Sequence, residues 1–239
     1  MQIAIVTPYH NEDIALIRQA HESVLAQDFA CRHVLVADGH PHPEIDDWNC
    51  EHIVLPGAHK DWGGFARGMG AMHAVHDGVD FVAFLDADNW LEPNHASSLA
   101  VQALNSGTAI TVSRRSLRRI DGSLMRRICP ESEGDNFADT GTILYHRSVL
   151  DVISLWARMP RALSSIGDQI VWRAIKERGY PCAHTGLPTL NYRTKFVGHY
   201  RMQNEEPPLG AIDFSHIKQG YTNWEALNDL QKQLLLKGH

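Results

Sequence analysis

The stretch FVAFLDADNW, Phe81 to Trp90, decides how this chain is read. A run of bulky apolar residues ends abruptly in two aspartates one residue apart, Asp86 and Asp88. An unbroken apolar run marks a strand covered on both faces, and such strands belong to parallel sheets packed between helices. The form recurs upstream. QIAIVTPYHNE, Gln2 to Glu12, is a β-branched run broken by Pro8, so its strand ends near Thr7. HVLVADG, His33 to Gly39, is stopped by Asp-Gly, and HIVLPG, His52 to Gly57, repeats the pattern. Asn11 is placed to cap a helix whose first turn holds Glu12 and Asp13, with Ile14, Ile17, His21, Val24 and Leu25 on one face. In GGFARGMGAMHAVHDG, Gly63 to Gly78, the second half has helical spacing through Met69, Met72, His73 and His76.

Strand and helix thus alternate over the first ~90 residues, which predicts an α/β fold: a mostly parallel, Rossmann-like sheet flanked by helices. Ligands of such sheets bind beyond the carboxyl ends of the strands. Thr7, Asp38 and Asp86 each lie at such an end, so polar groups from distant parts of the chain converge on one edge.

Further on, a helix is expected from Pro93 to about Leu104. Thr108–Ile120 and Ser123–Ile128 read as a hairpin joined by Asp121-Gly122. Gly141 to Leu150 is a strand leading into a helix, and Ser164 to Gly179 is a marked helix with Ile170, Val171, Ala174 and Ile175 on one face. No helical pattern appears from Pro181 to Pro208, and Asn204–Pro208 reads as loop. The tail from Thr222 to Gly238 reads as one amphipathic helix, either a dimer contact or a helix packed on the domain. Repeats and linkers are absent, so residues 1–239 are expected to form one domain with a variable C-terminal region.

Bulk properties exclude some functions. The 239 residues are 44% hydrophobic and 21% charged, with a net charge of −6. A pI near 6.2 argues against general nucleic-acid binding, which needs a basic surface. The 15 histidines would make the negative charge fragile below neutrality. Cys31, Cys50, Cys129 and Cys182 are scattered with no CxxC pair and read as reduced thiols. The N-terminus lacks the basic and long apolar segments of a signal peptide, and no stretch approaches the ~18 apolar residues of a membrane span. A cytoplasmic protein is expected.

Two carboxylates at i and i+2 after a strand suit a divalent cation, because Mg²⁺ and Mn²⁺ prefer oxygen ligands and Mg²⁺ fills its remaining positions with water and phosphate. The same residues also suit a plain turn, with Asp86 as a cap. Arg114, Arg115, Arg118, Arg119, Arg126 and Arg127 crowd the hairpin. They suit an anionic acceptor, or peripheral contact at the inner face of a membrane, or simple protection of an exposed sheet edge.

Taken in order, these motifs resemble the inverting nucleotide-sugar glycosyltransferases of the GT-A fold, family 2. The resemblance runs through IAIVTPYHNE, the helix at Glu22–Gln27, VADGH, GGFARGMG, LDADN and GDQIVWRAIKERG, and covers about the first 180 residues. It implies a nucleotide-sugar-binding half, 1–112, and an acceptor-binding half, 113–239. Thr7, Pro8 and Tyr9 would line the nucleobase pocket. Asp38 would accept a hydrogen bond from a uracil-type N–H, and Arg67 would contact base or diphosphate. Asp86 would hold the ribose and Asp88 a Mn²⁺ or Mg²⁺ ion, with His199, or else His184, completing the metal site. Asp168 would be the catalytic base, although Ser165-x-x-Asp168 equally fits a helix capping box. The sequence departs from the family at Ala37, Gly68 and Gly167, where the family has Asp, Asn and Glu. Segment 193–208 would be a lid over the donor or an ordinary surface loop. The partners implied are a UDP-sugar donor and a sugar, lipid-linked or small-molecule acceptor. Two other readings are a degenerate member that binds without turnover and a sugar-phosphate nucleotidyltransferase. The latter would need a basic, Gly-rich loop where TPYHNE stands.

Overall fold

All seven residues of the first strand, β1 (Ile3–Tyr9), are buried, as an unbroken apolar run requires when helices cover both faces. The computed structural model describes residues 1–238. After β1 come α1 (Ile14–Leu25), β2 (Cys31–Ala37), β3 (Glu51–Val54), α2 (Gly64–His76), β4 (Phe81–Phe84), β5 (Trp90–Leu91) and α3 (His95–Ser106). The second half holds β6 (Ile110–Arg118), β7 (Leu124–Arg126), β8 (Ile143–His146), short α4 (Leu150–Ile153) and α5 (Leu155–Arg158), and α6 (Gly167–Glu177). It ends with β9 (Cys182–Arg193), α7 (Val197–Met202), α8 (Ser215–Glu225) and α9 (Asp229–Lys237).

One sheet runs in the order β3-β2-β1-β4-β8-β6-β9-β5, with β7 paired to β6. The block β3-β2-β1-β4 is parallel throughout. In the other half β6 and β9 are parallel, whereas β8 runs antiparallel to both β4 and β6, and β5 to β9. The all-parallel block read from the apolar runs therefore covers only the first ninety residues; the rest of the sheet is mixed, parallel between β6 and β9 and antiparallel elsewhere. From β1 the chain winds one way to β2 and β3, then returns to place β4 on β1's other side. That reversal opens a crevice at the carboxyl ends of β1 and β4, where Pro8-Tyr9 and Asp86-x-Asp88 lie.

Helices cover both faces. Ala4, Val6, Val34, Val36, Val82 and Phe84 pack under α2 and the α4–α6 segment, through Ala66, Ala71, Leu155, Trp156, Val171 and Ile175. Ile3, Ile5, Phe81, Ala83 and Leu85 pack on the other side against α1 and α3, through Ala20, Val24, Leu99 and Ala103. Two glycines let α2 sit this close. A Cβ on Gly70 would lie 2.6 Å from Val6 Cγ1, and one on Gly68 would lie 2.4 Å from the Ala157 backbone nitrogen. The second contact explains why no asparagine stands at 68.

Several local expectations need correction. Asp13, not Asn11, caps α1, its carboxylate accepting from Ala15 N, and no acidic residue lies in the first turn. The Ser165–Asp168 capping box does not form. Ile166 is the N-cap of α6, and the Ser165 hydroxyl donates to the His216 carbonyl instead. The region from Pro181 contains the long strand β9 and the short helix α7. The tail is two helices, broken where Asn228 and Gln231 make a capping box at the start of α9. Leu235 and Leu236 pack on the α6 cluster, and Arg178 Nε donates to the Leu236 carbonyl, so the tail packs on the domain. All four cysteines are free thiols. Among the described residues no helix is long and apolar enough to cross a membrane. Two of the fifteen histidines are removed from the titration expected near neutrality. Burial holds His33 and His95 neutral, each pushed down to about 3.

Gly68→Ala should force α2 off the segment bearing Ala157. Overpacking of this kind costs about 1–3 kcal/mol, a fall of several degrees in melting temperature for a chain this long, readable by calorimetry.

Candidate active site

Two cavities open along the carboxyl edge of the sheet. One, of about 550 Å³, is lined by Pro8, Tyr9, Asp38, Arg67, Asp86 and Asp88 among others. The other, of about 880 Å³, is lined by Glu131, Asp139, Asp168 and His199 and by a group of aromatic side chains. Trp62, Arg67, Asp86, Tyr192 and Phe196 border both, so the cavities share a wall.

The aspartates at the end of β4 serve both readings of their sequence. The Asn89 N–H donates to the Asp86 carbonyl at 3.0 Å, a turn. Both carboxylates nevertheless reach the smaller cavity. Arg67 Nη2 donates to Asp86 Oδ1 at 2.6 Å, while its guanidinium lies 4.6 Å over the Trp156 ring. Lys195 Nζ stands 3.2 Å from Asp88 Oδ2. Burial pushes the Asp88 carboxyl above its ordinary range; Lys195 opposes this and Asp86 adds to it. Among the described residues, Asp86 Oδ2 and Asp88 Oδ1 have no protein donor. Two carboxylates that line one cavity, one of them under-compensated and each with an oxygen that takes no protein donor among the described residues, fit a hard divalent ion.

The other expected donor residues are placed differently. His199 is buried, with Nδ1 2.6 Å from Thr194 Oγ1 and Nε2 2.7 Å from Glu131 Oε2. It clusters with Glu131 and Cys129 rather than with Asp88. His184 is exposed, 3.9 Å from Asp135. The histidine half of the expected metal site is therefore not assembled around Asp88.

At the nucleobase end, Pro8 and Tyr9 line the cavity, but Thr7 does not. The Thr7 hydroxyl meets His33 Nε2, 2.9 Å away, inside a buried chain that continues to His21. Tyr9 is itself buried. Its hydroxyl meets His52 Nε2 at 2.6 Å, and burial pushes it up to about 12. Asp38 shapes the wall. Its carboxylate accepts from the N–H groups of His59 (2.8 Å) and Lys60 (3.0 Å) and from His59 Nδ1 (2.9 Å). Burial alone would raise Asp38, but these donors hold it below its ordinary range.

Asp168 opens α6 at the floor of the larger cavity. Its carboxylate accepts from Gln169 N at 2.8 Å. Burial, and next the charge of Asp139, push it up to about 6. Where the family has glutamate, a Cβ on Gly167 would already lie 3.1 Å from the Trp156 ring and 3.2 Å from Met159 Sδ. Sequence reading did not single out Asp139, Glu131, Lys195 or Trp62. Arg115 is buried and pairs with Asp139 at 2.6 Å over the Tyr192 ring. Arg118 donates to Asn191 and Arg119 grips Glu205, so three of the six hairpin arginines serve internal structure. The only signal for Asp139 was its position before Thr140-Gly141, a turn sequence.

Comparison with known proteins gives the family and the fold. The sequence pattern described as Glycosyl transferase family 2 matches residues 4–150, and the chain belongs to that family. Over 101 residues it is 34% identical to the succinoglycan biosynthesis protein ExoW of Rhizobium meliloti (strain 1021), covering 39% of this chain and 31% of that one. The chain thus spans about a third of the length of that curated relative. The crystal structure of S. aureus TarS 1-349 superposes with a TM-score of 0.61 at 15% identity, over 99% of this chain and 69% of TarS. Its complex with UDP-GlcNAc superposes at 0.65 with 14% identity, over 99% and 70%. The fold is the GT-A fold of those structures.

Asp38→Ala should free the His59 and Lys60 amides at a cost of about 1–3 kcal/mol. Hydrogen exchange should quicken across residues 58–63 and stay unchanged in α3.

Proposed function

We propose that this chain transfers a glycosyl group from a nucleoside diphosphate sugar, a UDP-sugar, to an acceptor hydroxyl with inversion. The observation that carries the reading is the shared wall of the two cavities. A donor whose diphosphate lies by Asp86, Asp88 and Lys195 would present its anomeric carbon toward the cavity that holds Asp168. Family membership and the fold support it as well.

Asp168 is the base. Inversion needs a hydroxyl to attack opposite the leaving diphosphate, and a hydroxyl attacks poorly unless a carboxylate takes its proton in the transition state. A carboxyl held near 6 is ionised at neutral pH yet is a better proton acceptor than an ordinary aspartate. Asp86 and Asp88 are the residues to hold a Mn²⁺ or Mg²⁺ ion, and such an ion would offset charge on the leaving diphosphate. Lys195 adds a second positive charge at the same end. Asp86, anchored by Arg67, orients the ribose. The strand-end loop carries Pro8, Tyr9 and His10, neither Gly-rich nor a basic phosphate cradle, which disfavours nucleotidyl transfer.

UDP with Mn²⁺ should raise the melting temperature, and Asp88→Ala should abolish the metal-dependent part of the rise. An unshifted wild type with every nucleoside diphosphate tried would refute the reading, and donor left intact by the metal-loaded protein would reduce it to a binder. Sugar transfer should climb as pH passes about 6 and then level off. Asp168→Asn should lower the rate by about 10²–10⁴-fold. The folded pKa lies above the unfolded one, so the wild type loses stability as pH rises from about 4 to about 6. Asp168→Asn escapes that loss and should melt higher than wild type at pH 7–8, by about 1–3 kcal/mol of stability.

A further inference from the structure

The larger cavity holds a feature that donor binding and proton transfer leave unused. Trp62, His216, Phe196 and Phe214 form a column of four rings. Trp62 stacks on His216 with centroids 4.8 Å apart at 22°. His216 stacks on Phe196 at 5.8 Å, and Phe196 on Phe214 at 5.6 Å and 4°. All four line that cavity. His216, backed in turn by Phe196 and Phe214, thus stacks on the indole, and Trp62 remains 57% exposed, the one tryptophan among the described residues in that state.

An exposed tryptophan leaves a large apolar face in water, which folding alone does not favour. Its backbone is also in the left-handed region, φ 59°, as is that of Lys60, φ 54°. Conformations that a branched or bulky residue seldom adopts persist where the surroundings over-determine them, and they cluster at ligand sites. Here the surroundings are on the page: Asp38 clamps His59 and Lys60, and Asp61 accepts from Phe65 N at 2.7 Å to anchor the start of α2. The loop is held so that the indole stands at the border of the two cavities.

We infer that the acceptor is a saccharide, and that the free face of Trp62 is the platform on which its pyranose ring lies. This rests on the transferase reading above. One face of a pyranose presents C–H groups with partial positive charge, which pack on the negative π face of an indole. The hydroxyls around the ring edge need hydrogen-bond acceptors, and Asp139, Glu131 and Asp168 line the same cavity. At about 880 Å³ the space suits a ligand of more than one ring. A polyprenyl chain would instead want continuous apolar walls, and this cavity is studded with carboxylates. Trp62 is a specificity-determining residue that holds the acceptor ring beside the donor.

The test is retention of the protein, loaded with UDP and Mn²⁺, on immobilised mono- to tetrasaccharides, with and without free oligosaccharide as competitor. A second arm uses phosphatidylcholine vesicles carrying a polyprenyl phosphate without sugar. Wild type should be retained on at least one oligosaccharide and released by the free sugar. Trp62→Ala and His216→Ala should weaken retention at least tenfold, and Trp62→Phe should restore part of it. Melting curves of each variant check that it folds. Equal retention of Trp62→Ala, binding to the sugar-free vesicles alone, or no retention on any saccharide would overturn the inference. A UDP-dependent melting shift on the same wild-type protein reports separately on the donor reading, so the two failures are distinguishable.

Discussion

The ion pair between Arg67 and Asp86 is the contact on which this architecture turns. A strand buried on both faces leaves the core at Leu85, and the carboxylate that follows must find a partner. Arg67 supplies it from α2, a helix packed on the same sheet, while its guanidinium lies over Trp156 from α5. One side chain thereby joins the end of β4, the helix above it and the second half of the chain. It also sits on the wall common to both cavities. A change that moves α2 therefore moves the boundary between them.

The close approach of α2 is what makes that pairing reachable. Gly70 admits the helix to β1 and Gly68 admits the α5 segment to the helix. Family-typical residues at 68 and 167 would need room that Ala157, Trp156 and Met159 occupy. These departures are packing solutions: Gly68 lies where the second half of the chain leans on the first, and Gly167 lies within the second half. They leave the two aspartates of β4 and the aspartate of α6 in place.

Charge in the larger cavity is arranged around the same principle. Arg115 is buried and satisfied by Asp139, and His199 bonds Glu131. The charge of Asp139 contributes to the raised pKa of Asp168. An acidic group held near 6 is costly to the fold at neutral pH, because burial disfavours the charged form it must take there.

What the sequence determined by itself was the frame. Unbroken apolar runs indicated the parallel block, and strand ends marked Thr7, Asp38 and Asp86, of which Asp38 and Asp86 line the smaller cavity and Thr7 does not. Local signals at helix ends were less reliable. Asp13 displaced Asn11, and Ile166 stood where a capping box was expected, since several residues near a terminus can satisfy its free N–H groups. Only the tertiary structure could turn Thr7 toward His33, set His199 beside Glu131 instead of Asp88, and spend Arg115 on Asp139. Each of those outcomes depends on a partner from 24 to 68 positions away, and no local pattern encodes which distant side chain a polar group will meet.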